Sequence, residues 1–235
     1  QKWLDLQNDR IKNSQGSLVK KELTSISLKS IPRIHLASVL DLARRLQLNY
    51  LILRGLQHLV QPQFRSDSAK RATLPPSSFE IALYALALAR IGAHTEAWSL
   101  LDPLPNNDHQ ILFVKASALV SQWNYRQAQN YFKMYLKHPA VSDYQKLIGH
   151  LNLAACYLFQ QKIVLADRHL SKFSNLENKF PLLVANSLEL KAQLFIAQGL
   201  YDLAFHGARE AIELLKTSGS AYSLFSEKWA IIAHA

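Results

Sequence analysis

The side chains of this 235-residue chain that could hold a metal or move a proton are nine histidines, one cysteine and 17 carboxylates. The histidines stand at His35, His58, His94, His109, His138, His150, His169, His206 and His234. No two are four residues apart, the spacing that would place two imidazoles on one helical face. His150 and His169 are placed to approach each other across one helix pair, but no acidic third ligand stands in register with them. Cys156 has no second cysteine to pair with, so neither an internal disulfide nor a cysteine-based zinc site is open to the chain. Beside Ala155 in a packed helix it reads as a buried, inert thiol. The acidic residues are dispersed and offer no general acid/base dyad. Phosphate-loop, dinucleotide, nucleophile-elbow and His-Glu-x-x-His motifs are all missing. The expectation is a protein that is not an enzyme, with no cofactor, no metal and no catalytic residues.

Charge points to partners instead. Lys and Arg number 27, giving a formal net charge of +10, and 13 of them fall in the first 71 residues against 5 Asp and Glu. A basic patch of Arg44, Arg45, Arg54, Arg65, Lys70 and Arg71 favours an acidic partner: nucleic acid, anionic lipid or an acidic protein. A solubilising face would account for the same charges. Residues 39–58 scan as a helix-turn-helix. The recognition helix would then carry Tyr50, Leu51, Ile52, Leu53 and Leu56, too few polar groups to read base edges.

The elements that must position these groups are helices. Apolar residues make up 49% of the chain and recur at helical spacing from Pro32 onward, with no alternating stretch of any length. Helices are expected near 36–47, 50–61, 78–91, 94–103, 109–122, 125–137, 144–160, 163–176, 181–197, 201–216 and 220–234. They are separated by Pro75 with Pro76, Gly92, Pro103 with Pro105, Pro139, Pro181, Gly199 and Gly219. Residues 61–77 form the longest expected loop, polar and basic. The longest apolar run, Ile81 to Ala89, is far short of a membrane span. From Gln1 to an apolar end at Ala235, the chain reads as a piece of a longer protein whose targeting signal could have been removed.

A finer pattern lies on the helices. Small residues recur at Ala43, Ala85, Ala116, Ala154, Ala192 and Ala230, separated by 42, 31, 38, 38 and 38. Twelve residues after each of the first five stands another: Gly55, Ala97, Ala128, Ala166 and Ala204. A small side chain on each helix where two cross lets the backbones approach, and larger neighbours then interlock. Bulky residues follow at fixed offsets: Leu46, Leu88, Leu119, Tyr157 and Phe195 after the first notch, and Leu59, Leu101, Phe132 and Leu170 after the second, with Ala208 in the last pair. One pair cannot bury them, so pairs must stack.

The pattern resembles the tetratricopeptide repeat family, whose signature is a Trp-x2-Leu-Gly-x2-Tyr block, then Ala-x3-Phe, then Pro. The clearest copy is Leu112-x2-Lys115-Ala116-x2-Leu119, Trp123-Asn124-Tyr125, Ala128-x3-Phe132 and Pro139. Others run His150-x2-Leu153-Ala154-x2-Tyr157 with Ala166-x3-Leu170, and Leu188-x2-Lys191-Ala192-x2-Phe195 with Gly199-x-Tyr201 and Ala204-x3-Ala208. Upstream, Ile81-x2-Tyr84-Ala85-x2-Leu88 pairs with Ala97-x3-Leu101, and the most divergent copy is Val39-x2-Leu42-Ala43-x2-Leu46 with Gly55-x3-Leu59. Ser226-x2-Trp229-Ala230 opens a truncated sixth. Spacings of 38 exceed the family's usual ~34, and the family's Trp position is not aromatic in any copy. The resemblance implies an all-α α-solenoid of stacked antiparallel helix pairs, a right-handed superhelix over residues 36–235, preceded by a basic helical or irregular segment, 1–35.

In that family the first helix of each pair lines a concave side. The equivalent positions here include Leu40, Arg44, Gln47, Ala82, Leu86, Ala89, Phe113, Ser117, Val120, Leu151, Ala155, Leu158, Glu189, Gln193 and Ile196. Asn152 alone stands where some members carry a carboxylate-clamping residue. The resemblance thus implies a non-catalytic scaffold or adaptor that takes a partner peptide or helix through apolar anchors. The same side chains would equally serve as core, or be covered by the chain's own N-terminal segment. A regulatory segment of a transcription regulator and a basic nucleic-acid-binding repeat are the alternatives. A cytoplasmic setting, no membrane span and self-association through an open C-terminal end complete the expectation.

Overall fold

Thirteen α-helices account for most of the residues that the computed structural model describes, namely 2–12, 15–61, 75–174, 176, 180–217 and 223–235. They are α1 (Lys2–Lys12), α2 (Gly16–Ser25), α3 (Arg33–Arg45), α4 (Asn49–Val60), α5 (Ser78–Arg90), α6 (His94–Leu101), α7 (His109–Ser121), α8 (Tyr125–Lys137), α9 (Asp143–Leu158), α10 (Ile163–Leu170), α11 (Pro181–Ala197), α12 (Tyr201–Thr217) and α13 (Ser223–His234). Among the described residues there is no strand, so the class is all-α. No helix among them is long and apolar enough to cross a membrane. Most of the expected 61–77 loop, residues 62–74, lies outside the described residues.

Local chemistry sets the helix ends. Ser77 accepts from the backbone of Glu80 while the Glu80 side chain takes the Ser77 backbone N–H, a capping box that starts α5. Ser142 and Gln145 do the same for α9, and Asp108 caps α7 through the Gln110 N–H. Pro181 opens α11, where a missing N–H costs nothing. Several ends differ from the sequence expectation by a residue or more, two of them with a clear local cause. Pro32 stands at the cap of α3, whose first turn therefore begins at Arg33 rather than 36. The expected 163–176 helix stops at Leu170 and tightens into a 3-10 turn, Ser171–Phe173.

Five helix pairs turn through the same device. Gln47, Gly92, Trp123, Gln161 and Gly199 all have positive φ, from 58° to 95°. In each pair this residue donates back three residues, and its successor donates back five: Trp123 N to Val120 O and Asn124 N to Leu119 O are typical. These paired bonds are a Schellman motif, which satisfies the last carbonyls of the first helix and launches the second antiparallel to it. Ala85, Ala116, Ala154 and Ala192 lie seven residues before the left-handed residue, and Ala97, Ala128, Ala166 and Ala204 five after it. All eight are buried. The first pair departs from this pattern, because Gln47 follows Ala43 by four residues only. Leu40 and Ile52, both fully buried, occupy its equivalent positions. Gly55 explains how α4 tolerates the larger Leu40, since a Cβ at Gly55 would come within 3.1 Å of Leu40 Cδ1.

Residues 20–135 form one compact unit. Within it α3 packs on α4 and α5, α4 on α5, and α5 on α6 and α7. Ala82, Ala85, Leu86, Ala89, Ala97, Leu101, Ile111, Val114 and Ala118 make a continuous core there. Two buried charges are paired within it. Glu80 is held by Arg33, with Nη2 donating to Oε2 at 2.6 Å and Nη1 donating to Oε1. Burial works against the Glu80 carboxylate, but Arg33 and Ser77 outweigh it and hold its pKa below the ordinary value. Lys115, 1% exposed, sends its ammonium to Leu104 O at 2.7 Å, Asn106 Oδ1 at 2.8 Å and Asp102 O at 3.4 Å. It ties the α6–α7 connection to the core, and desolvation lowers its pKa while Asp102 opposes the shift.

Residues 1–19 and 136–235 form the other unit. Here α9 packs on α10 and α11, α10 on α11, and α13 on both α11 and α12, which also pack together. Ala192, Ala204, Ala208, Ile212, Ala230 and Ala233 form one core cluster, with Ala185, Ala211 and Leu215 beside α11 and α12 forming another. α1 buries Leu4, Gln7 and Ile11, and Lys12 carries its ammonium 5.5 Å above the Tyr144 ring of α9.

Two stability predictions follow from the turns. Gly92→Ala and Gly199→Ala should each cost about 1–2 kcal/mol, the penalty of a Cβ at positive φ, because no atom lies within 4 Å of either added group to clash or pack. Trp123→Gly should be neutral or stabilising by about 1 kcal/mol, since Trp123 already bears that penalty and is 77% exposed. Urea unfolding of the three variants checks both signs. Gly55→Leu should lower the midpoint more than any of them, because the new side chain enters space held by Leu40 and Leu28.

Candidate functional site

Arg44 is where the expected groove residues meet chemistry. It projects from the last turn of α3, and Asp41, one turn earlier, receives its Nε at 2.6 Å. The other Asp41 oxygen takes Arg45 Nε at 3.0 Å and Nη2 at 2.8 Å. Spacings of three and four put all three side chains on one helical face. Burial alone would raise the Asp41 pKa, but the two guanidiniums prevail and hold the carboxyl below its ordinary value. Asp41 therefore stays charged and fixes Arg44 in direction.

The guanidinium of Arg44 reaches α7, where its Cζ lies 5.3 Å from the centroid of the Phe113 ring. Phe113 packs in turn against Tyr135 at 5.2 Å and Phe132 at 5.7 Å, both on α8. His109, one turn before Phe113, stacks on Tyr135 at 6.3 Å. Burial pushes the Tyr135 hydroxyl up to about 12, with Arg44 and Arg45 acting against the shift and Asp41 with it. The phenol is neutral at any working pH. Arg90 on α5 donates to Arg44 O at 3.0 Å and so anchors the end of α3 from the next pair. Among the described residues the two terminal nitrogens of Arg44 make no hydrogen bond, and neither is a buried unpaired atom. The side chain is 15% exposed, so these nitrogens sit at the edge of the surface on a fixed platform.

The other expected groove positions are distributed as follows. In the 20–135 unit, Leu86 is fully buried in the core, Ser117 and Val120 are half-buried on α7, and Ser117 spends its hydroxyl on Phe113 O. Gln47 is exposed and serves as the left-handed turn residue. In the other unit Leu151 and Leu158 are buried, and half-buried Asn152 donates to Ile148 O. Gln193 is half-buried. Glu189 accepts a 3.0 Å hydrogen bond from Trp229 Nε1 of α13. Burial raises its pKa, with the Trp229 bond and Lys228 opposing. Of the expected basic patch, Arg44 and Arg45 share the Asp41 carboxylate and Arg54 is exposed on α4. Arg65, Lys70 and Arg71 lie outside the described residues.

His150 of α9 and His169 of α10 do meet, as their positions in one hairpin suggested: their Nδ1 atoms are 2.8 Å apart. Tyr157, two turns after His150, stacks on His169 at 5.6 Å. Desolvation, His169 and Lys172 together lower the His150 pKa to about 4. Cys156 is buried, and burial raises its thiol to about 12, which leaves it protonated and unreactive. Among the described residues no three His, Cys, Asp or Glu side chains are grouped to hold a metal.

Sequence reasoning missed the platform under Arg44. The Asp41, Arg44 and Arg45 spacing was a readable signal, whereas Phe113, His109 and Tyr135 join it only through packing of α3, α5, α7 and α8. Lys115 and Trp229 left no signal either, because their partners are loop carbonyls and a distant carboxylate. No protein-family model matches the chain, and no curated protein is significantly similar to it.

The His150 shift makes stability depend on pH. The unfolded chain takes up this proton near the ordinary 6.5 and the folded one only near 4, so protonation favours unfolding between them. Stability should be full above pH 6.5, fall as pH drops toward 4 and level off below it. The half-buried ring reduces the loss to on the order of 2 kcal/mol. Denaturant midpoints measured from pH 7 to 4 should show this fall, and His150→Gln should flatten it.

Proposed function

We propose that this chain is a non-catalytic scaffold, a divergent tetratricopeptide-like helical repeat, which captures a protein partner on the α3–α7 face of the 20–135 unit. Stacking of the first helices supports the repeat reading: α3 packs on α5 and α5 on α7, each pair closed by the same left-handed turn. The observation that carries the binding reading is Arg44. Its Nε edge is saturated by Asp41 and its face rests on Phe113, while its terminal nitrogens make no hydrogen bond among the described residues in a side chain 15% exposed. Holding a rotamer-rich side chain in place before binding removes most of the entropy cost of using it. A guanidinium presented this way suits a carboxylate on a partner segment, with half-buried Val120 and Phe113 offering apolar contact. Nucleic acid is less well served, because Arg44 and Arg45 are partly neutralised by the same carboxylate.

The test is selection of binders from a random 12-residue peptide library against the full chain. Selected peptides should combine Asp or Glu with apolar residues. Arg44→Gln should weaken them about tenfold, the order expected for a charge-assisted pair, with the circular dichroism spectrum unchanged. Selection of basic peptides, or indifference to Arg44→Gln, would refute the reading.

A further inference from the structure

The geometry assigns to His150 and His169 a binding site for one monovalent, two-coordinate d10 cation, Cu+ or its redox-silent analogue Ag+, held between the two Nδ1 atoms. The ring centroids are 5.0 Å apart and the Nδ1 atoms 2.8 Å. The difference is close to twice the centre-to-vertex radius of an imidazole, so the two nitrogens point head-on along one line. Head-on nitrogens are the arrangement of a linear N–metal–N unit. They are the wrong arrangement for a tetrahedral or square site, whose donor axes must converge away from the line between them.

Charge and ligand count favour the same ion. A divalent ion would need further protein ligands, and among the described residues no third His, Cys, Asp or Glu joins the pair. Lys172 stands close enough to act on His150, and its repulsion of a dication is twice its repulsion of a monocation. The His150 imidazole is already desolvated, and Tyr157 stacks on the His169 ring. A separation of 2.8 Å puts one proton in the gap, donated by one Nδ1 to the other. On metal binding that proton moves to Nε2 of its own ring, so both rings stay neutral and both Nδ1 lone pairs become available. With metal–nitrogen bonds of about 2 Å, the nitrogens must separate to about 4 Å, roughly 1 Å more than at present.

The chain's only sulfur atoms are in Cys156 and Met134, so a Cys156→Ala, Met134→Leu variant of the full chain presents no sulfur ligand. Titrated with Ag+ in chloride-free buffer, that variant should bind one equivalent and gain about 5 °C in midpoint at saturating metal. Adding His169→Gln or His150→Gln should abolish the gain. X-ray absorption of the Cu+ form should show two nitrogen neighbours in line. As a readout free of substitution at the site, the 15N resonances of both Nδ1 atoms should shift together on Ag+ addition. No binding in the sulfur-free variant, binding that survives His169→Gln, or resonance shifts confined to other histidines would each overturn the assignment.

Discussion

A left-handed residue at the end of the first helix of each pair is the constraint from which the rest of the packing is derived. An α-helix cannot reverse direction without releasing its last carbonyls, and the Schellman bonds at Gln47, Gly92, Trp123, Gln161 and Gly199 recapture them within two residues. The turn leaves no slack, so the distance from it decides which residues of the two helices face each other. Seven residues back is two helical turns. That position and the one five residues forward meet at the crossing, where only small side chains fit in four of the five pairs. Three of the five turns carry Gln or Trp in a conformation that glycine adopts without penalty. That cost is met by the burial the hairpin secures.

The first pair shows how far the constraint can bend. It places Leu40 and Ile52 where the others place alanine. The chain compensates with Gly55, removing one Cβ from the facing helix at the point where Leu40 needs room. Volume is conserved across the contact rather than at each position, which is what close packing requires. The shift also explains why Arg44, near the C-terminal end of α3, is free to lean across α5 to α7. Its ring contact is Phe113 of α7, and Arg90 of α5 holds the main chain at its base.

The helices, their order and most of their ends were legible in the sequence because apolar periodicity, Gly and Pro each act locally. The notch pattern was legible for four pairs, since alanine at a fixed offset is itself the packing rule. For the first pair the offset of twelve was present, at Ala43 and Gly55, but its phase against the turn was not. A left-handed Gln47 has no sequence signature comparable to glycine. The His150 and His169 approach was legible because the two residues sit at matching depth in one hairpin. The aromatic platform of Phe113, His109 and Tyr135 was not, because it depends on helices from successive pairs.

Buried apolar residues at several of the expected groove positions bear on how a partner would be chosen. Leu86, Leu151 and Leu158 are committed to packing, so they add stability to the helices and nothing to selection among ligands. Selection must then fall to polar groups with unspent hydrogen-bonding capacity. Glu80, Lys115, Glu189 and Asn152 have each met a partner inside the fold. Arg44 is different in kind: Asp41 and Phe113 fix its direction without consuming its terminal donors. In a proposed scaffold whose apolar surface is largely spent on its own stacking, one oriented guanidinium over an aromatic ring is where discrimination would be concentrated.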